Sequence, residues 1–113
     1  MLLALGCVLT ACLAPAVSAG TLYVTNRGSG TLAILDESSL VVRATIPVGE
    51  RPWGVAVSAD GKRACVSYAQ GLAIVNLQAG AVALRVALGG QGMGVTISRD
   101  GAVCYVAVHR ADG

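Results

Sequence analysis

The chain has 113 residues, of which 55% are hydrophobic and 12% charged, with a net charge of +2. That length holds one small domain. The charge balance excludes a polybasic nucleic-acid surface, which needs clustered Lys and Arg, and no apolar run reaches the roughly 18 residues of a spanning helix.

The first segment, Met1–Ala19, reads MLLALGCVLTACLAPAVSA. Its short apolar core and the small residues Val17-Ser18-Ala19 before Gly20 suit an export signal, because a signal peptidase excludes bulky side chains at its cleavage site. Leu9-Thr10-Ala11-Cys12 offers a second reading, a lipoprotein signal. Cys12 would then take a diacylglycerol, and the acyl chains would hold the protein on a membrane surface without a spanning helix. The expected location is exported in either case, at the periplasm or cell surface.

After Gly20 the chain alternates short β-branched runs with turn residues, the pattern of strands. Leu22–Thr25 and Thr31–Leu35 are the first two, joined by Arg27-Gly28-Ser29-Gly30. Val41–Val48 is the third, and Pro47 near its end places it at an edge, where no ladder donor is missed. Gly49-Glu50-Arg51-Pro52 forms a corner before Gly54–Ser58. Asp60-Gly61 predicts a tight hairpin turn into Lys62–Tyr68. Strands at Leu72–Leu77, Ala81–Leu88, Gly94–Ser98 and Ala102–Val108 follow, with a corner at Gly89-Gly90-Gln91-Gly92. No segment has a helical period.

The pattern is written twice. Gly54–Ser58 returns as Gly94–Ser98, Asp60-Gly61 as Asp100-Gly101, and Leu32–Asp36 as Leu72–Asn76, each 40 residues on. Four short antiparallel strands per ~40 residues is the signature of a β-propeller blade. The expected fold is therefore all-β: an incomplete blade at 20–53, a full blade at 54–93 and a truncated blade at 94–113. Closed propellers carry about 4–8 blades. The expectation is thus an N-terminal fragment, an incomplete ring of about two blades whose first blade lacks its inner strand.

Tyr23-Val24-Thr25-Asn26, Leu32–Asp36, Ala44–Gly49, Pro52, Gly54–Ser58 and Asp60-Gly61 together resemble the YVTN family of β-propeller repeats, found in archaeal surface-layer proteins and exported bacterial propellers. The second repeat is looser, with Gln91-Gly92-Met93 in place of Arg51-Pro52-Trp53. The family also has relatives among d1-haem propellers and their maturation partners. What the resemblance implies is a fold and an exported compartment, with no single activity.

Blade topology sends the corners and the loops between second and third strands to one rim. That rim collects Arg27, Glu50, Arg51, Trp53, Gln91, Met93, His109 and Arg110. Loops on a rigid frame commonly carry function. Arg27, Arg51 and Arg110 can present guanidinium forks to a carboxylate or phosphate, or form a solvated rim. Trp53 either stacks on a flat ligand or packs between blades. His109 is an ordinary loop residue, or an axial ligand if the full-length protein holds a haem. No paired metal-ligand spacing and no haem-attachment motif is present. Asp60 and Asp100 are explained as turn formers, and no serine has a base beside it. Cys65 and Cys104 lie one residue out of phase in the repeat, which puts them on opposite faces of equivalent strands. With blades about 10 Å apart, two unpaired buried thiols are expected and no disulfide.

The function expected is an exported scaffold or binding module without catalysis of its own. Its partner would be a protein or small molecule at the rim, and a membrane would be met only through a lipid anchor. A cofactor-linked propeller, or a lactonase or dehydrogenase with its acidic ligands in absent blades, is the alternative.

Overall fold

The computed structural model describes residues 20–110 and, as backbone, residues 3–5. Cys12 and the cleavage site lie outside the described residues. Among the described residues every regular element is a strand: β1 Leu3–Leu5, β2 Thr21–Asn26, β3 Thr31–Asp36, β4 Val42–Pro47, β5 Val55–Val57, β6 Arg63–Tyr68, β7 Gly71–Asn76, β8 Ala81–Ala87, β9 Gln91–Ile97 and β10 Cys104–His109. They form three sheets in the orders β1-β2-β3-β4, β5-β6-β7-β8 and β9-β10. The second sheet is one complete meander of four antiparallel strands. β4 lies at a sheet edge, as Pro47 requires.

One strand was not foreseen. Leu3–Leu5, within the segment read as an export signal, lies beside β2 in the inner-strand slot of the first blade. It pairs in parallel, Leu3 with Leu22 and Leu5 with Val24, whereas β5 meets β6 antiparallel in the complete blade.

The turns follow from local polar chemistry. Asn26, Asp36 and Asn76 each end a strand and fold a side-chain oxygen back onto the next turn. Asn26 Oδ1 accepts from the Gly28 and Ser29 amides, and Asn76 Oδ1 from those of Gln78 and Ala79. Asp36 takes the Ser38 and Ser39 hydroxyls and the Ser39 amide. Four residues after each anchor the backbone turns left-handed, at Gly30, Leu40 and Gly80. The Asp-Gly turns are wider than the tight hairpin expected. In one, the Gly61 amide bonds the Ser58 carbonyl and Asp60 Oδ1 accepts from Ser58 Oγ at 2.7 Å and the Lys62 amide at 3.0 Å. Ser98, Asp100 and Ala102 repeat those distances. A turn closed by a left-handed Gly is the usual build of a longer hairpin loop.

The core lies where the first two blades meet. Tyr23, Leu32, Ile46 and Val48 pack against Val55, Ala64, Val66, Tyr68, Ala73 and Val75. β6 is sandwiched, so Ala64 to Tyr68 are all buried without alternation, as expected of a strand covered on both faces. Two hydroxyls stitch successive blades. Thr25 Oγ1 donates to the Trp53 carbonyl, and Ser67 Oγ to the Met93 carbonyl. Thr25 and Ser67 pair with Leu32 and Leu72 in their own hairpins, so they are equivalent positions.

The prediction of unpaired thiols is corrected: Cys65 and Cys104 form a disulfide between the second and third blades. Cys65 and Cys104 do stand in opposite phase, since Cys65 pairs with Ala56 and Tyr105, not Cys104, pairs with the equivalent Thr96. In a radial stack the leading face of one blade looks at the trailing face of the next. Opposite phase therefore turns the two thiols toward each other. The blades also converge here. A Cβ added to Gly92 of β9 would lie 2.9 Å from Ser67 Cβ of β6. The two cysteine Cα atoms are 6.6 Å apart, within the window of about 4.4–6.8 Å that a disulfide spans.

Candidate ligand site at one rim

Two loops build one wall of the rim. The turn after Asn26 delivers Arg27 and ends at Gly30, whose carbonyl accepts the Val48 amide at 2.9 Å and the Gly49 amide at 3.3 Å. The two loops are in contact: a Cβ on Gly30 would stand 2.7 Å from the Gly49 carbonyl oxygen. Gly49 in turn lies on the Tyr68 ring, with room for no side chain. The Ala69 amide bonds the Glu50 carbonyl at 2.9 Å, and Gln70 Nε2 reaches the Glu50 carboxylate at 3.4 Å. Between these anchors Arg51 adopts a left-handed backbone with φ 48°. This conformation costs an ordinary residue about 1–2 kcal/mol, and the fixed loop around it enforces the cost.

The arginines are aimed by aromatic rings. The Arg27 guanidinium lies 5.2 Å from the Trp53 ring centre and that of Arg85 5.4 Å from the Tyr68 ring centre. Arg85 Nη1 also donates to the Val48 carbonyl. A guanidinium stacked on a ring is held in plane while its edge N–H groups stay available to acceptors. Arg27, Arg51 and Arg85 line one groove of about 530 Å³, together with Glu50 and the glycines of both loops.

The structure thus divides the rim residues named from sequence. Arg27 and Arg51 share this groove, and Trp53 supports Arg27 at its edge. Trp53 is 42% exposed, which is neither full interblade packing nor an open stacking platform, since Arg27 occupies a face. His109 and Arg110 lie elsewhere, at the end of β10. His109 pairs with Gln91, and the Arg110 side chain runs beside the Gly89-Gly90 corner. Arg85 was missed. Its signal was a single cation in the apolar strand Ala81–Ala87, a position inside a strand, whereas only loop and corner residues were assigned to the rim.

A second groove, of about 310 Å³, opens at the opposite rim among Asp60, Lys62, Arg63, Asn76 and Asp100. Its polar groups serve the turns. Hydrogen bonds from Ser58 and Ser98 hold the Asp60 and Asp100 carboxyls below their ordinary pKa, and Arg63 Nη1 crosses to the Gly101 carbonyl at 2.9 Å. Among the described residues no group of three His, Cys, Asp or Glu is placed to hold a metal ion, and no helix is long and apolar enough to cross a membrane.

The fold defines the class: an all-β stack of propeller blades. No family model matches the chain, and no curated protein matches it. Among solved structures it is similar to the hydrazine synthase of Kuenenia stuttgartiensis, with a TM-score of 0.76 at 22% identity over 95% of this chain. The match spans 28% of that chain. At that identity the likeness is one of fold.

Proposed function

We propose that the chain is part of an exported β-propeller of YVTN type, acting as a binding or scaffold element without catalysis of its own. The observation that carries this is how its reactive side chains are spent. Each serine of the described residues is hydrogen-bonded within a turn or a blade joint: Ser29 to Thr31, Ser38 and Ser39 to Asp36, Ser58 to Asp60, Ser67 to Met93, Ser98 to Asp100. The arginines at the rim are instead held outward around a groove. Such a frame suits the positioning of a ligand. The interblade disulfide supports an oxidising, exported compartment. The exposed apolar face of β10 supports a further blade in a longer protein: Tyr105 stands where Cys65 stands one blade earlier, facing the position of the next blade.

The test is expression of the full chain with its own N-terminus in a bacterial host, followed by fractionation and haem titration. Recovery from the periplasm or cell surface with Cys65 and Cys104 joined, and no Soret band on adding haem, is expected. Cytosolic retention with free thiols overturns the exported reading. A stoichiometric Soret band overturns it in favour of a cofactor-linked propeller.

A further inference from the structure

We infer that the groove between the first and second blades is a binding site for a small dianion, a phosphomonoester or a dicarboxylate, gripped by Arg27, Arg51 and Arg85. This rests on the reading of the chain as a binding element and names its ligand class. Three observations converge on it. The groove's charged lining consists of three guanidinium groups and one carboxylate, Glu50, which leaves two positive charges to be met. Guanidinium forks match paired oxygens of carboxylate and phosphate in geometry as well as charge. Second, two of the three forks are pre-set: Arg27 on Trp53, and Arg85 on Tyr68 and the Val48 carbonyl. Preorganised donors lose less entropy on binding. Third, Arg51 is strained at an exposed loop position. Its left-handed φ of 48° would suit glycine, and glycines occupy the nearby left-handed positions Gly30 and Gly49. A costly conformation kept at a cleft points to function.

The protein carries its own reporter. Trp53 is the sole tryptophan, and Arg27 covers its ring. Titration of the full chain with inorganic phosphate and, separately, with succinate, at ionic strength held constant with sodium chloride, should give a saturable change in Trp53 fluorescence. The tighter of the two identifies the source of the charge. Arg51→Gly should weaken binding at least tenfold while leaving the melting temperature equal or higher, because it removes strain along with a fork. Arg85→Gln should weaken binding as well. Arg110→Gln, outside the groove, should leave it unchanged. A response that follows ionic strength alone, or an Arg51→Gly variant that binds as well as the parent, overturns the inference. If the oxidised chain is recovered from the exported fraction and still shows no saturable response, only the ligand class falls and the propeller reading stands.

Discussion

Asp60 and Asp100 illustrate how a single side chain holds a turn. Each carboxylate accepts a serine hydroxyl and a backbone amide two residues away, and those bonds lower its pKa, the serine bond most. A carboxyl with a lowered folded pKa contributes stability above its unfolded value. The contribution is lost as pH falls through the folded value. Acid loosening from these turns should therefore set in below the ordinary 3.8. Replacing both by asparagine keeps an acceptor oxygen and removes the titration. Circular dichroism across an acid titration of the double variant Asp60→Asn, Asp100→Asn should show a shallower slope than the parent, and an equal slope would assign the effect to other carboxyls. The adjacent Ser58 and Ser98 are explained in the same terms, as partners of the turn.

The repeat makes each element a control for its counterpart. Gly80 closes the loop between β7 and β8 with φ 71°, and Leu40 closes the corresponding loop of the first blade with φ 60°. Leucine there is strained and 62% exposed. Leu40→Gly should raise stability by about 0.5–1 kcal/mol, the relief of a left-handed leucine less the added freedom of glycine in the unfolded chain. A thermal melt reads it, and a lower melting temperature would refute it. The blade joints offer the opposite case. Ser67 is fully buried, and its hydroxyl accepts the Gly54 amide while donating to the Met93 carbonyl. Ser67→Ala leaves both groups without that partner and should cost about 1–3 kcal/mol. The corresponding position of the third blade is Ala107, at a β-bulge between Val106 and Val108, so this stitch is made twice among the described residues.

At the scale of the whole molecule, the joint between the second and third blades rests on Gly92 set closely against the second blade and on the Cys65–Cys104 bond. The bond closes a loop of sequence separation 39, and loop closure of that length is worth about 3–4 kcal/mol in the unfolded chain. Non-reducing peptide mapping should recover the two cysteines in one linked fragment, and reduction should lower the melting temperature by well over the effect of any surface substitution. Free thiols in the folded protein would contradict the structure. The outward face of β10 makes a separate prediction. Tyr105 is 59% exposed, so Tyr105→Ser should raise the solubility of the isolated chain and change its stability by no more than about 0.5 kcal/mol.

The sequence by itself determined the all-β class and most of the strands after Gly20, though Gln91 and Gly92, read as a corner, belong to β9. These depend on short β-branched apolar runs and on the turn residues between them, local matters written within a few residues. Arg27 and Arg51 were placed on one rim for the same reason, since the loops that carry them follow directly from strand order. What only the tertiary structure decided lies between blades. Whether two cysteines meet depends on which faces look at each other in a curved stack, and Arg85 reaches the groove from the outer strand of a different sheet. The slot beside β2 likewise goes to a strand whose parallel pairing no local pattern announces. Facing surfaces are set by how rigid sheets are rotated about a common axis, and a repeat read along the chain gives the copies without the rotation that brings them together.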